Sequence, residues 1–260
     1  MKTLTLTGEI ALAMWRRSLL EVLRVRGALF PATLAPVIFM LGTVGQFGRL
    51  ADLHGFPTDS YLAWIVPLSC MQGAGFAGGA AGANLARDIE QGWFDRLLTA
   101  PGPRPMLLLG PILGAITRAL IPTTTILTMG LILGVGLPGG IPGLIALYVA
   151  AVWFCVTAAL WGSTLALRTG TQQVGPLIQN GVFLMVFLST AYTPQVLLHG
   201  WLGQLSRYNP VSQVLQMGRQ ATVSGIEPSW AHTWPGLLAL LGMTVVLGAI
   251  ALRELRRIGR

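Results

Sequence analysis

Long apolar stretches separated by short polar segments dominate the pattern of this chain. Each stretch approaches the ~20 residues that a helix needs to cross the hydrocarbon layer of a membrane. The pattern therefore predicts an all-α integral membrane protein, with residues 1–260 as a single domain. The six predicted spans are residues 28–46, 60–84, 118–137, 143–167, 172–192 and 235–252.

Residues 1–26 precede the first span and predict a helix in the membrane interface. Leu12 and Trp15 fall on one face of this helix, whereas Arg17 and Glu21 fall on the other. Such a helix can bury its apolar face while its arginines meet anionic headgroups. A solvated helix packed on a neighbouring element is the alternative. The late start of the first apolar run does not match a signal peptide, so we expect the N-terminus to be retained.

Residues 86–105 form a compact charged island between the second and third predicted spans. Gly92 permits a turn before a short helix, and Pro101 lies where that helix must end. The helix would place Trp93, Phe94, Leu97 and Leu98 on one face, within about 140° of arc. This face could dock in a groove of a partner protein or could lie on the inner membrane surface.

Residues 193–234 are too long for a tight loop between the last two spans. They contain two short amphipathic runs, separated by Tyr208, Asn209 and Pro210. We predict two short helices at the outer membrane surface. A plain extracellular loop with some hydrophobic residues is the alternative.

Charge sets the expected orientation. Only 10% of residues are charged and 53% are hydrophobic, against about 25% charged residues in a soluble domain. With both termini in the cytoplasm, 14 of the 17 Lys and Arg residues lie inside and 3 lie outside. This asymmetry favours cytoplasmic termini. The basic residues cap apolar spans rather than forming a stripe, so no nucleic-acid partner is expected.

Several kinds of chemistry find no support in the sequence. The only lysine is Lys2, so the chain lacks the P-loop that cradles nucleotide phosphates. The glycine pattern of residues 73–78 lies inside an apolar span, which rules against a dinucleotide site. Cys70, Cys155 and the three histidines show no metal-ligand or disulfide spacing. We expect no metal site and no cofactor in this chain.

Small residues recur at four-residue spacing in the second predicted span. Gly75, Gly79 and Ala83 form one row, and Gly78 and Gly82 form another. Such rows let two membrane helices approach closely.

Four amide side chains lie in the predicted fifth span. Gln172 and Gln179 are seven residues apart, as are Gln173 and Asn180, so each pair should share a helix face. In a membrane span these amides must face protein or water. They could line the cytoplasmic entrance of a transport pathway, or they could hydrogen-bond to neighbouring helices.

Two motifs resemble those of the ATP-binding-cassette type-2 permeases, in particular the daunorubicin-resistance and nodulation-factor export group. Glu90-Gln91-Gly92, followed by Leu97-Leu98-Thr99-Ala100-Pro101, is similar to that family's segment between spans two and three. Asn209-Pro210-Val211, with Arg219 nine residues after the proline, is similar to its segment before the last span. Trp93-Phe94 departs from the family, in which many members carry a small polar residue before an apolar one.

The resemblance implies the permease subunit of an exporter in the bacterial cytoplasmic (inner) membrane, moving a drug, lipid or glycolipid-type substrate outward. Two permeases, identical or paralogous, would associate with two ABC ATPase subunits that bind ATP and Mg. The substrate would move along the permease interface, which in this family involves spans one, two and five. The residues implied to contact the ATPase are Arg87, Glu90, Gly92, Trp93, Phe94, Leu97, Leu98 and Pro101.

Two other classes stay open on the sequence alone. One is an integral-membrane enzyme that modifies lipid, and the other is a membrane scaffold without transport. An enzyme needs polar groups converging at the membrane surface, and the sequence offers no such cluster. We therefore expect the chain itself to be non-catalytic.

Overall fold

The structure is a computed structural model that describes residues 30–99 and 104–258, with positions 12, 13, 15, 16 and 20 before them. These residues form helices joined by short connections. The helices are α1 (Phe30–Phe47), α2 (Tyr61–Glu90), α3 (Trp93–Leu98), α4 (Met106–Ile132), α5 (Gly140–Thr169), α6 (Gly175–Phe187), α7 (Gly200–Tyr208), α8 (Pro210–Arg219) and α9 (Trp230–Ile258).

Four helices of the described residues are long and apolar enough to cross a membrane. They cover Thr33–Asp52, Met106–Ile132, Gly140–Thr169 and Trp230–Ile258. Together with its composition, they make the chain a multi-pass membrane protein. The other two predicted spans stay predictions. Helix α2 has 30 residues but is rich in small residues, and α6 has only 13, a length of about 20 Å.

Helix α2 lies at the centre of the bundle. It packs most extensively against α5 and also against α4, α1 and α6. Helix α9 packs against α5 and α8. Ser60 caps the start of α2, where its hydroxyl accepts a hydrogen bond from the Ala63 amide at 3.3 Å. We call the two ends of the bundle the Tyr61 end and the Glu90 end, after the first and last residues of α2.

The helix over the third predicted span, 118–137, has different bounds from the span. One continuous helix runs from Met106 to Ile132 and places Arg118 mid-helix and buried. The helix continues through Pro111 and Pro122. It ends before Gly134, whose φ of +97° lies in the left-handed region.

The predicted fifth span, 172–192, is not one helix. Helix α5 ends at Thr169, and Gly170, which follows it, has a φ of +65°. A 3-10 turn over Gln172–Val174 follows, and α6 begins only at Gly175, with Pro176 in its first turn. Proline favours this position because its fixed φ suits a helix start. Gln172 and Gln173 therefore lie outside the α-helix, and the prediction that they share its faces with Gln179 and Asn180 is wrong.

Helices α7 and α8 occupy the 193–234 segment and meet at Asn209, where the sequence predicts a break. The Asn209 side chain accepts a hydrogen bond from the Val211 amide at 2.9 Å and so caps α8. Most of the predicted interfacial helix, residues 1–26, lies outside the described residues. Trp15 is described, and its indole nitrogen donates to the Thr117 hydroxyl of α4 at 3.0 Å.

Candidate functional site

The candidate coupling segment, residues 87–98, continues directly from the central helix. Arg87 and Glu90 form the last turn of α2, which runs beyond the predicted end of the second span at residue 84. The amide of Gly92 donates to the Ile89 carbonyl at 3.0 Å. Gly92 has a φ of +72°, a conformation that costs other residues about 1–2 kcal/mol. The chain reverses at this glycine into α3.

The four apolar side chains of α3 do not share one role. Phe94 is 1% exposed and belongs to the chain's own core, whereas Trp93 is 46% exposed. Leu97 and Leu98 are half-buried against the core. Phe94 therefore anchors α3, and Trp93 presents the aromatic surface. Pro101 lies outside the described residues.

The coupling segment is hydrogen-bonded to the 3-10 turn that leads into α6. A carboxylate oxygen of Glu90 accepts from the backbone amide of Gln172 at 2.9 Å. Gly170 lies beside Ile89 at the same place, since a Cβ added there would lie 3.5 Å from the Ile89 side chain. These contacts join the Glu90 ends of α2, α5 and α6.

The two rows of small residues on α2 face different helices. A Cβ on Gly82 would lie 2.9 Å from the Gly162 carbonyl oxygen of α5, and one on Gly78 would lie 3.0 Å from Ala158. Both separations are tighter than ordinary Cβ contacts. The row of Gly75 and Gly79 faces Val182 and Gln179 of α6, with Phe154 of α5 also against Gly75, and Ala83 lies beside Gly175.

The four amides of the predicted pathway have different surroundings. Gln179 is half-buried and donates to the Phe76 carbonyl of α2 at 3.3 Å, an interhelical hydrogen bond. Gln172, Gln173 and Asn180 are exposed. Only Gln179 and Asn180 lie on α6.

The far end of α6 is held by the segment that contains α7 and α8. The side-chain amide of Asn209 donates to the Met185 carbonyl at 2.8 Å. The backbone amide of Thr190 donates to the Ser212 hydroxyl at 3.2 Å. Helix α6 is thus bonded at one end to the coupling segment and at the other end to α8.

Arg219, at the end of α8, is fully buried at this junction. Its Nη2 donates to the carbonyls of Thr190 at 2.7 Å and Ala191 at 2.8 Å. Its guanidinium lies 3.3 Å from the ring centroid of Trp64. Burial lowers the pKa of Arg219, and the carbonyls and the ring face hold the guanidinium in its charged form.

Sequence reasoning noted Arg219 within the Asn-Pro motif but counted it only as an outer charge. Its burial depends on Trp64, which is 155 positions earlier in the chain. Within the residues that the structure describes, Arg219 donates hydrogen bonds to two carbonyls and one hydroxyl rather than to a carboxylate.

A groove of about 570 Å³ opens at the Tyr61 end, between α1 and the residues that follow α6. Its lining residues are uncharged. Neighbouring rings pack on one another, with centroids 6.0 Å apart for Phe39 and Tyr192 and 5.8 Å apart for Phe187 and Tyr192. The aromatic lining consists of Phe39, Phe47, Tyr61, Phe187 and Tyr192, and the polar lining of Thr43, Gln46 and Thr193.

Two lining residues of this groove, Tyr61 and Tyr192, lie next to the carbonyls that Arg219 binds. The Tyr61 hydroxyl donates to the Tyr192 carbonyl at 3.1 Å, directly after the two carbonyls that Arg219 binds. Displacement of α8 would therefore move Tyr192 and change the shape of the groove. Among the described residues, no group of three or more His, Cys, Asp or Glu side chains is placed to hold a metal ion.

The family model of the ABC-2 type transporter matches residues 9–223. This range includes the coupling segment, the small-residue rows and Arg219. The chain belongs to the ABC-2 type transporter family. It is a transmembrane permease of the ABC transporter class, as the resemblance of its two motifs predicts.

Two curated relatives carry the same description, "Probable multidrug ABC transporter permease YbhR". One is from Escherichia coli strain K12 and the other from Escherichia coli O157:H7. Each is 27% identical over 211 residues, which cover 79% of this ABC-2 chain and 53% of the relative. The chain thus spans about half the length of the curated relatives it matches.

Proposed function

We propose that this chain is the membrane subunit of an ATP-driven exporter and that separate ABC ATPase subunits drive it through Trp93 and Leu97. The observation that carries this proposal is the continuity of the central helix α2 with the coupling segment. A force applied to α3 reaches the middle of the bundle without crossing a flexible loop. Family membership supports an ATPase partner, which would bind ATP and Mg, because the sequence has no lysine at a P-loop position.

The Glu90 end is assigned to the cytoplasm. Both termini then lie on the cytoplasmic side of the bacterial inner membrane. The 14-to-3 distribution of basic residues supports this orientation. It places the coupling segment where a cytoplasmic ATPase can bind it and the aromatic groove at the outer side.

The hydrogen bonds suggest how the ATPase acts on the pathway. Motion of α3 moves the end of α2, and the Glu90 carboxylate carries that motion to the start of α6. Helix α6 transmits it to α8 through Asn209. The groove next to Tyr192 then changes shape as the outer segment moves.

The substrate class follows from the groove. A site of about 570 Å³ is in the range for drug-sized molecules. Aromatic faces and a few hydroxyl and amide groups suit an uncharged, ring-containing amphiphile. The groove of one chain opens beside the exposed face of α1, so a second permease copy or a paralogous permease would complete the passage. A drug, lipid or glycolipid-type cargo fits this description.

A Trp93→Ala variant is expected to retain several-fold less ATPase subunit during purification, because Trp93 supplies the exposed aromatic surface of α3. Trp234→Ala is the matched control, since Trp234 is 48% exposed but lies at the Tyr61 end. The measurement is the ratio of ATPase to permease after co-purification from cells, together with ATP hydrolysis by the complex. Equal losses for the two variants would contradict the proposed surface.

Asn180→Leu is expected to change the relative transport of two substrates at least threefold while ATP hydrolysis stays coupled, because Asn180 is exposed on α6. Gln179→Leu is expected to lower thermal stability through loss of the bond to Phe76. Transport in vesicles and thermal unfolding measure the two effects. Unchanged substrate preference in Asn180→Leu would remove α6 from the proposed pathway.

The lipid-modifying enzyme and the scaffold make different predictions. Purified chain that modifies lipid without an ATPase would establish the enzyme. A complex that binds an ATPase but moves no cargo would establish the scaffold.

A further inference from the structure

Helix α9 leaves one side uncovered in the monomer. It packs against α5 and α8, and its opposite side exposes Leu238, Leu241, Val245 and Val246. Residues at these spacings line one side of a helix. The exposed stripe continues to Ala249 and covers about 16 Å along the helix axis, roughly half the thickness of a hydrocarbon core.

The stripe leads at the Glu90 end into a shallow depression whose described lining residues all belong to α9. The depression has an apolar side, formed by Ala249 and Leu252, and a basic side, formed by Arg253, Arg256 and Arg257. The apolar side is continuous with the stripe. The arginines lie one turn further toward the end of the helix.

The basic side carries uncompensated charge. Arg257 contacts the Glu254 carboxylate at 3.3 Å, and Arg168 of α5 contacts the same carboxylate at 2.9 Å. Within the described residues, Arg253 and Arg256 form no ion pair. Like charges three and four residues apart on a helix repel one another, and an anion with several oxygens can bind more than one guanidinium group.

We propose that this depression binds the headgroup of an anionic phospholipid, with an acyl chain lying along the α9 stripe. The stripe decides between a lipid and a free phosphate, since only a lipid uses the apolar side and the basic side together. Basic pockets at the cytoplasmic ends of membrane helices bind such headgroups. The inference uses the cytoplasmic orientation proposed above for the Glu90 end, but it does not depend on the proposed export function.

The test compares phosphatidylglycerol with phosphatidylcholine on the purified full-length chain, by native mass spectrometry and by thermal unfolding in mixed micelles. Wild type is expected to retain phosphatidylglycerol at least fivefold better than phosphatidylcholine. The double variant R253Q/R256Q is expected to lose this preference. R207Q, which removes an exposed arginine at the Tyr61 end, is the matched control and is expected to keep it. If the double variant yields too little protein, R256Q replaces it. This single variant is expected to show at most half of the wild-type preference for phosphatidylglycerol.

Four results would overturn the proposal. The first is an unchanged lipid preference in R253Q/R256Q, and the second is equal retention of both lipids by wild type. The third is full stabilisation by inorganic phosphate alone, which would make the site one for a soluble anion. The fourth is loss of a co-purifying protein from R253Q/R256Q with lipid preference unchanged, which would make the depression a protein contact. Because the readouts use the permease alone, failure here leaves the Trp93 experiment unaffected.

Discussion

Arg219→Leu is expected to lower the free energy of unfolding by about 2–5 kcal/mol, because two buried carbonyls lose their donor at about 1–3 kcal/mol each. The variant also loses the contact between the guanidinium and the Trp64 ring, 3.3 Å from its centroid. Leucine cannot replace either interaction. The turn at Thr190 and Ala191 would keep the bond from the Thr190 amide to Ser212 and the neighbouring bond from Tyr61 to Tyr192.

The measurement is thermal unfolding of the purified chain in detergent. Arg207→Leu is the matched control because Arg207 lies on α7 and is exposed. Arg219→Lys should fall between wild type and Arg219→Leu, since an ammonium keeps the charge but lacks the planar fork that reaches two carbonyls. A midpoint for Arg219→Leu within a degree of the control would contradict the structural role assigned to Arg219.

Gly82→Ala should destabilise the bundle by about 1–3 kcal/mol through overpacking, whereas the same change at Gly42 should be neutral or stabilising. At Gly82 the added methyl meets the backbone of Gly162, including its carbonyl oxygen at 2.9 Å. A backbone atom cannot move aside like a flexible side chain, so α2 and α5 would have to separate. At Gly42 nothing lies within 4 Å of the added methyl, and alanine is favoured in a helix by up to about 1 kcal/mol.

The two glycine variants differ in sign, which makes the comparison informative. Both remove a helical glycine and both add one methyl, so any effect on the unfolded chain is shared. Thermal unfolding of both variants in the same detergent measures the contrast. Equal shifts would show that the separation between α2 and α5 is not limited at Gly82.

Hydrophobic pattern predicted where helices occur better than where they end. The apolar runs predicted an all-α chain, which the described residues show, and Asn209 correctly marked the break between α7 and α8. The ends depend on local backbone conformation, which composition does not report. Gly134 and Gly170 stop their helices by adopting positive φ, whereas other glycines in the same runs remain helical.

Tertiary packing explains the remaining differences at the candidate site. Helical periodicity placed Trp93 and Phe94 on one face, but the core takes Phe94 and leaves Trp93 exposed. The bond from Glu90 to Gln172 joins residues 82 positions apart, so no local signal could reveal it. Arg219 is the strongest case, because charge alone assigns an arginine to the surface and only its partners Trp64, Thr190 and Ala191 make burial tolerable.

Where Gly82 meets Gly162, two main chains touch with no side chain between them. Many weak dispersion contacts hold such a junction, and sliding either helix by one residue would bring a larger side chain into the gap. Helices α2 and α5 are therefore expected to behave as a single rigid strut throughout the working cycle. Helices α1 and α6, which pack less extensively on α2 than α5 does, are the elements that we expect to pivot against that strut during transport.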